Sequence, residues 1–225
     1  MIAGQTLYAS ELIMKTRGSI GNGAGASVLQ IADAAKQSYT AVRNEKIEEQ
    51  LVIPHLGPDY LRFRERGVSL PQYLQAQPNL YQNLVVQMVQ FNLSVEILIA
   101  GIHDSGSHLY YLGNPGTLLG FDKLGYNSIG SGSTHAAVSF HLGNQNRRSS
   151  LPETLFSVFE AKRSAEVAPG VGVETEMAII SRQGVWTIPA ELMEAIGQAR
   201  EAAIQEAKPE LKPIEDLYER LQPNA

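Results

Sequence analysis

Apolar residues recur along this chain in two rhythms, and the change from one to the other divides it into blocks. Within residues 26–50, Val28, Ile31, Ala32, Ala35, Tyr39 and Val42 follow the three-and-four spacing that collects side chains on one helix face, and Ser27 or an earlier small residue suits the N-cap. The same spacing returns over 79–92 through Leu80, Leu84, Val85, Met88 and Val89, predicting a second long helix. The period then shortens. Residues 95–102 and 108–112 read as strands, joined by His103-Asp104-Ser105-Gly106-Ser107, whose small polar residues suit a hairpin connection. Short strands are also expected at 117–121, after the turn Gly113-Asn114-Pro115-Gly116, and at 126–129. Helices follow at 134–141 and 154–167, and a last hairpin pairs 176–181 with 184–188. Ahead of all these, residues 6–16 read as short strand material and 18–25, with Gly18, Gly21, Gly23 and Gly25, as a flexible loop.

Strands and helices therefore come in blocks rather than alternating singly. This predicts an α+β domain of layered antiparallel sheet, not a doubly wound parallel one. Prolines and glycines punctuate 51–77, which reads as an insertion or helical excursion carrying Arg62, Arg64 and Arg66. That cluster reads as a solvated surface or an inter-subunit salt-bridge strip, with binding of an anionic partner as the rival. We place the domain at 1–190, with the insertion around 51–78, and a charged helical tail at 191–225. The tail suits a sheet-edge cover, a clasp on a neighbouring subunit, or a solvated end helix.

Composition narrows the functional classes. At 225 residues, 44% hydrophobic and 18% charged, the chain can bury a substantial core. A net charge of −5 weighs against nucleic-acid or anionic-membrane binding over a broad surface. With no cysteine, disulfides, thiolate metal sites and cysteine nucleophiles are excluded. The longest apolar run, near 95–100, is short for a membrane span and contains Glu96; no secretory signal is legible, and cytoplasm is the expected location. His103, His108, His135 and His141 show no metal-ligand spacing and read as solvated turn or helix residues, so neither metal nor cofactor is expected. Ser131 with His135 invites a serine-hydrolase reading, but Ile129 replaces the first glycine of a nucleophile elbow, and Ser131 reads better as a helix cap. The glycine loop invites a phosphate-cradle reading, yet no Lys-Ser/Thr follows it and its spacing is not that of a dinucleotide fold.

Four segments carry a family likeness: Thr16-Arg17-Gly18-Ser19-Ile20-Gly21-Asn22, the run from Val95 to Asp104 with His108-Leu109-Tyr110, Ile129-Gly130-Ser131-Gly132-Ser133, and Gly172 with Glu176-Met177-Ala178-Ile179-Ile180-Ser181. In this order they resemble the proteasome family of N-terminal nucleophile hydrolases. The resemblance implies a four-layer αββα sandwich, assembly into a homo-oligomeric ring, and descent from threonine peptidases acting on peptides or unfolded proteins. It also implies Gly18 as an oxyanion donor through its backbone N–H, and Ser131 as a hydrogen-bond partner near the terminal amine. The chain departs from the pattern at its front. The family's nucleophile hairpin has no counterpart before Gly18, Lys15 is misplaced for the family lysine, Thr6 follows Gln5 rather than glycine, and Ala168 and Val171 replace an Asp and a Ser. An N-terminally incomplete, inactive subunit is therefore expected, either a shortened peptidase or a non-catalytic scaffold. A small-molecule or nucleotide binder using the glycine loop is the remaining alternative.

Overall fold

The computed structural model describes residues 1–21, 25–57 and 78–206. Its order is β1 (Ile2–Gly4), α1 (Thr6–Ile20), α2 (Val28–Ile47), a π-helical turn (Glu48–Val52), α3 (Ile53–Leu56), α4 (Pro78–Gln90), β2 (Val95–His103), β3 (Gly106–Gly113), β4 (Thr117–Gly120), α5 (Ser133–Leu142), α6 (Leu151–Ala165), β5 (Ala178–Ser181), β6 (Gly184–Thr187) and α7 (Ala190–Glu206). The protein is thus mixed α and β with antiparallel sheets, as the block order predicts.

The largest departure lies at the front. Residues 6–16, expected as strand, belong to helix α1, and Gly18 sits in its last turn rather than in a loop. The helix is specified by its neighbour. Ala9 and Leu12, one turn apart, are buried against Ala35, Tyr39 and Val42 of α2. Lys15 pairs with Glu11 and Glu45, and Lys46 with Glu11 and Glu49, so charge lines the seam between the two helices. Helix α2 starts as predicted: Ser27 Oγ accepts from the Gln30 N–H at 3.2 Å while Gln30 Oε1 accepts from the Ser27 N–H at 2.8 Å. The expected excursion after α2 begins as the π-helical turn and α3; Arg62, Arg64 and Arg66 lie outside the described residues, as does the tail beyond Glu206.

A four-stranded sheet runs in the order β1-β2-β3-β4, every pair antiparallel. Alternation along β2 sends Val95 and Ile97 to one face and Glu96 and Leu98 to the other. The first face meets α1 and α2, where Leu12, Tyr39, Val42, Leu93, Val95 and Leu112 are almost fully buried. Tyr39 crosses this core to donate its hydroxyl to the Val95 carbonyl at 3.1 Å. Gly4 holds β1 close: at φ 114° it approaches so tightly that an added Cβ would fall 1.8 Å from the Ser94 carbonyl oxygen.

The expected strand at 126–129 is instead an irregular connection. After β4 the chain turns at Gly125, whose N–H donates to the Phe121 carbonyl at 2.8 Å, and leaves the sheet. Tyr126 then stacks on Phe140 of α5 with ring centroids 4.8 Å apart, so its apolar surface is covered by a helix rather than by a strand neighbour. Helices α5 and α6 pack as a pair, and α6 opens with a second capping box between Ser150 and Glu153. The hairpin β5–β6 packs with α6 and α7 through Phe159, Met177, Ile188 and Ile196, and β5 also approaches β2. Among the described residues no helix is long and apolar enough to cross a membrane.

Candidate functional site

The second face of the four-stranded sheet is not closed by packing. Between it and the α5–α6 pair lies a cleft of about 950 Å³, walled by Leu98 and Tyr111 on the sheet, the loop 127–133, and Ala161 and Lys162 on α6. Its polar centre is Glu96. Strand alternation alone turns this carboxylate away from the core and into the cleft. There Glu96 Oε1 accepts the Tyr111 hydroxyl at 3.0 Å and Oε2 accepts the Gly130 N–H at 2.8 Å, so the acid ties the sheet to the loop. Burial, followed by the bond to Glu96 and its negative charge, raises the Tyr111 phenol above its ordinary value.

Glycine makes the loop's course possible. A Cβ on Gly132 would stand 2.7 Å from Ala165 Cβ and 3.0 Å from the Ala165 carbonyl oxygen, so the Gly-Ser-Gly-Ser segment rests directly on α6. Ser128 Oγ donates to the Ser133 carbonyl at 2.8 Å, closing the loop on itself. Lys162 is also engaged, donating to Glu166 at 2.8 Å and to the Gly172 carbonyl at 2.6 Å. Carboxylate, phenol and ammonium in the cleft are therefore each bound within the fold, leaving a concave wall of half-buried apolar side chains with an exposed serine at its rim.

That serine is Ser131, which lines the cleft as an exposed residue. It does not cap α5, whose N-cap is Gly132 with no side-chain bond; the capping expectation is corrected, because the helix begins one residue too late for Ser131 to reach its free N–H groups. Gly18 does not line this cleft, and its place in α1 commits its N–H to the helix rather than to an oxyanion. His135 lines a different cavity of about 530 Å³ with Val138, Leu142 and Phe156, so the structure does not bring it to Ser131. The glycine-rich segment follows helix α1 rather than a strand and leads into α2, and its residues 22–24 lie outside the described set. No cluster of three His, Asp or Glu able to hold a metal occurs among the described residues.

Sequence reading missed Glu96 and Tyr111 as site residues. The available signal was a lone acid inside an apolar strand, which alternation assigns to the face opposite Val95 and Ile97. No protein-family model and no curated protein sequence matches the chain.

Proposed function

We propose that this chain is a proteasome-like subunit of the αββα type, related to threonine peptidases, that serves as a scaffold in a homo-oligomeric ring. The observation that supports the reading best is the arrangement of antiparallel strands and helix pairs: α1 and α2 cover one face of the four-stranded sheet, and the β5–β6 hairpin packs with α6 and α7 while approaching β2. A scaffold role rather than peptide-bond cleavage is supported by the cleft, where Glu96, Tyr111 and Lys162 are held in bonds within the fold. Assembly is supported by apolar side chains left at the surface of α5, where Val138 is 53% and Leu142 75% exposed.

Native mass spectrometry of the purified protein tests the assembly. The expected result is a closed multimer of the single chain; a monomer at tens of micromolar overturns the ring. Fluorogenic peptide hydrolysis that co-purifies with the chain through successive columns overturns the assignment of a scaffold that does not cleave peptide bonds.

A further inference from the structure

At the tip of the β2–β3 hairpin, away from the cleft, three side chains form a continuous hydrogen-bonded line. Ser105 Oγ lies 2.7 Å from His108 Nε2, and His108 Nδ1 lies 2.7 Å from Asp122 Oδ2. The antiparallel register produces the grouping. Ser105 occupies the two-residue turn, and His108, three residues on, faces Gly101 across the hairpin. Asp122 returns beside His108 because β4 folds back on β3, and its Oδ1 is pinned by the Leu109 N–H at 2.7 Å.

The proton positions follow from this geometry. Burial pushes the Asp122 acid up, but the Leu109 N–H, the His108 ring and the charge of Arg147 together hold it below its ordinary value, so the group is a carboxylate and can only accept. The carboxylate thus takes a proton-bearing Nδ1 of His108 as its donor, and Nε2 is the ring nitrogen that faces the Ser105 hydroxyl. Imidazole and carboxylate are each largely sheltered, with 20% and 29% of their side-chain surface exposed, while Ser105 itself is open to solvent. Arg147 adds positive charge at the same place: a Cβ on Gly106 would stand 3.6 Å from its Nη2.

We propose that Ser105, His108 and Asp122 form a nucleophilic relay that cleaves small, unhindered carboxylic esters, with Arg147 supporting the oxyanion. Ser105 Oγ forms a bond to the acyl carbon as its proton passes to His108 Nε2. The bond from acyl carbon to leaving oxygen then breaks, and that oxygen takes the proton from the imidazolium as the alcohol departs. Water next attacks the acyl-serine, giving a proton to Nε2. The Ser105–acyl bond breaks, Oγ recovers the proton, and the carboxylic acid leaves. The net change is ester plus water to acid plus alcohol, needing no oxidant, reductant or cofactor. The site stands on an open turn, which restricts it to acyl groups that need no enclosing pocket. It is independent of the ring proposal.

The test treats the full chain with a fluorophosphonate probe and maps the adduct by peptide mass spectrometry, alongside p-nitrophenyl acetate turnover. The adduct is expected on Ser105, with a p-nitrophenol burst proportional to protein. Asp122→Asn keeps an oxygen for Leu109 but presents an amide donor to Nδ1. It is expected to lower labelling and turnover roughly a hundredfold or more while leaving the melting temperature near that of the unaltered chain. Ser105→Ala, an exposed change, is expected to remove both signals in a folded protein. An adduct that is absent or maps elsewhere, turnover that survives Ser105→Ala, or labelling unchanged in a folded Asp122→Asn protein would each overturn the proposal.

Discussion

The two faces of the four-stranded sheet are built from the same strands and end up in different physical states. On the face toward α1 and α2, Val95, Ile97 and Leu112 meet Leu12, Tyr39 and Val42 with almost no surface left to solvent. On the other, Glu96, Leu98 and Tyr111 border about 950 Å³ of open space. The strands alternate in both directions equally, so the difference comes from what packs on them. One face receives a helix whose small residues Ala32 and Ala35 allow close approach. The other receives a loop tied to it through the Glu96 carboxylate, with no helix among the described residues packed directly against the strands. Stability is thus concentrated on the first face, while the second keeps a concave surface available for contact.

The comparison can be broken most directly by emptying the filled face. Leu112→Ala is expected to cost about 3–4 kcal/mol in urea unfolding, because a fully buried leucine leaves a cavity that the helix pair cannot fill. A loss below about 1 kcal/mol would mean that this face is no better packed than its opposite.

Alkaline titration probes the same face through Tyr39. Burial first, then the neighbouring Tyr111, pushes its phenol from 10.0 up to about 12. The proton is retained more tightly in the folded state, so the contribution is complete below pH 10 and is lost as pH rises toward about 12. Melting curves across that window should show a fall on the order of 2 kcal/mol, which Tyr39→Phe makes shallower. An identical slope in the phenylalanine variant would remove Tyr39 as its source.

Glu96→Gln addresses the link across the open face. The amide leaves one oxygen to serve both the Tyr111 hydroxyl and the Gly130 N–H, with an expected cost of about 1 kcal/mol. Hydrogen exchange at Gly130 should quicken in the variant; unchanged exchange would show that the loop is held by other contacts. The smallest effect is expected from enlarging a side chain beside the cleft. Leu98→Phe should stay within about 0.5 kcal/mol of the parent, since space is available there, and a large destabilisation would mean the cleft closes in solution.

How far the sequence could be read depended on whether an element is specified within itself or by a distant neighbour. Helix α2 carries its own capping box and a continuous apolar stripe, and the β2–β3 hairpin carries its turn residues; both were legible. Helix α1 was not, because only Ala9 and Leu12 of its face are buried and much of its support comes from charges on α2. Tyr126 looked like part of a strand because an aromatic residue serves equally well beneath a helix, and only the position of Phe140 decides between them. The candidate site divides along the same line. Ser131 was legible from its glycine-flanked turn, although its capping role was not correct. Glu96 needed knowledge of which strand face stayed uncovered. Ser105 and His108 are close in sequence, but Asp122 joins them only through the pairing of β4 with β3.

The brevity of the sheet's outer strands has a consequence for how copies of this protein can meet. β1 spans three residues and β4 four, so each border offers only a few backbone donors and acceptors to an incoming strand. Such short borders template poorly for strand-by-strand growth, the route by which long open sheets form fibrils. A ring of the kind proposed above would therefore have to form through side-chain surfaces, whose shape can limit how many copies join.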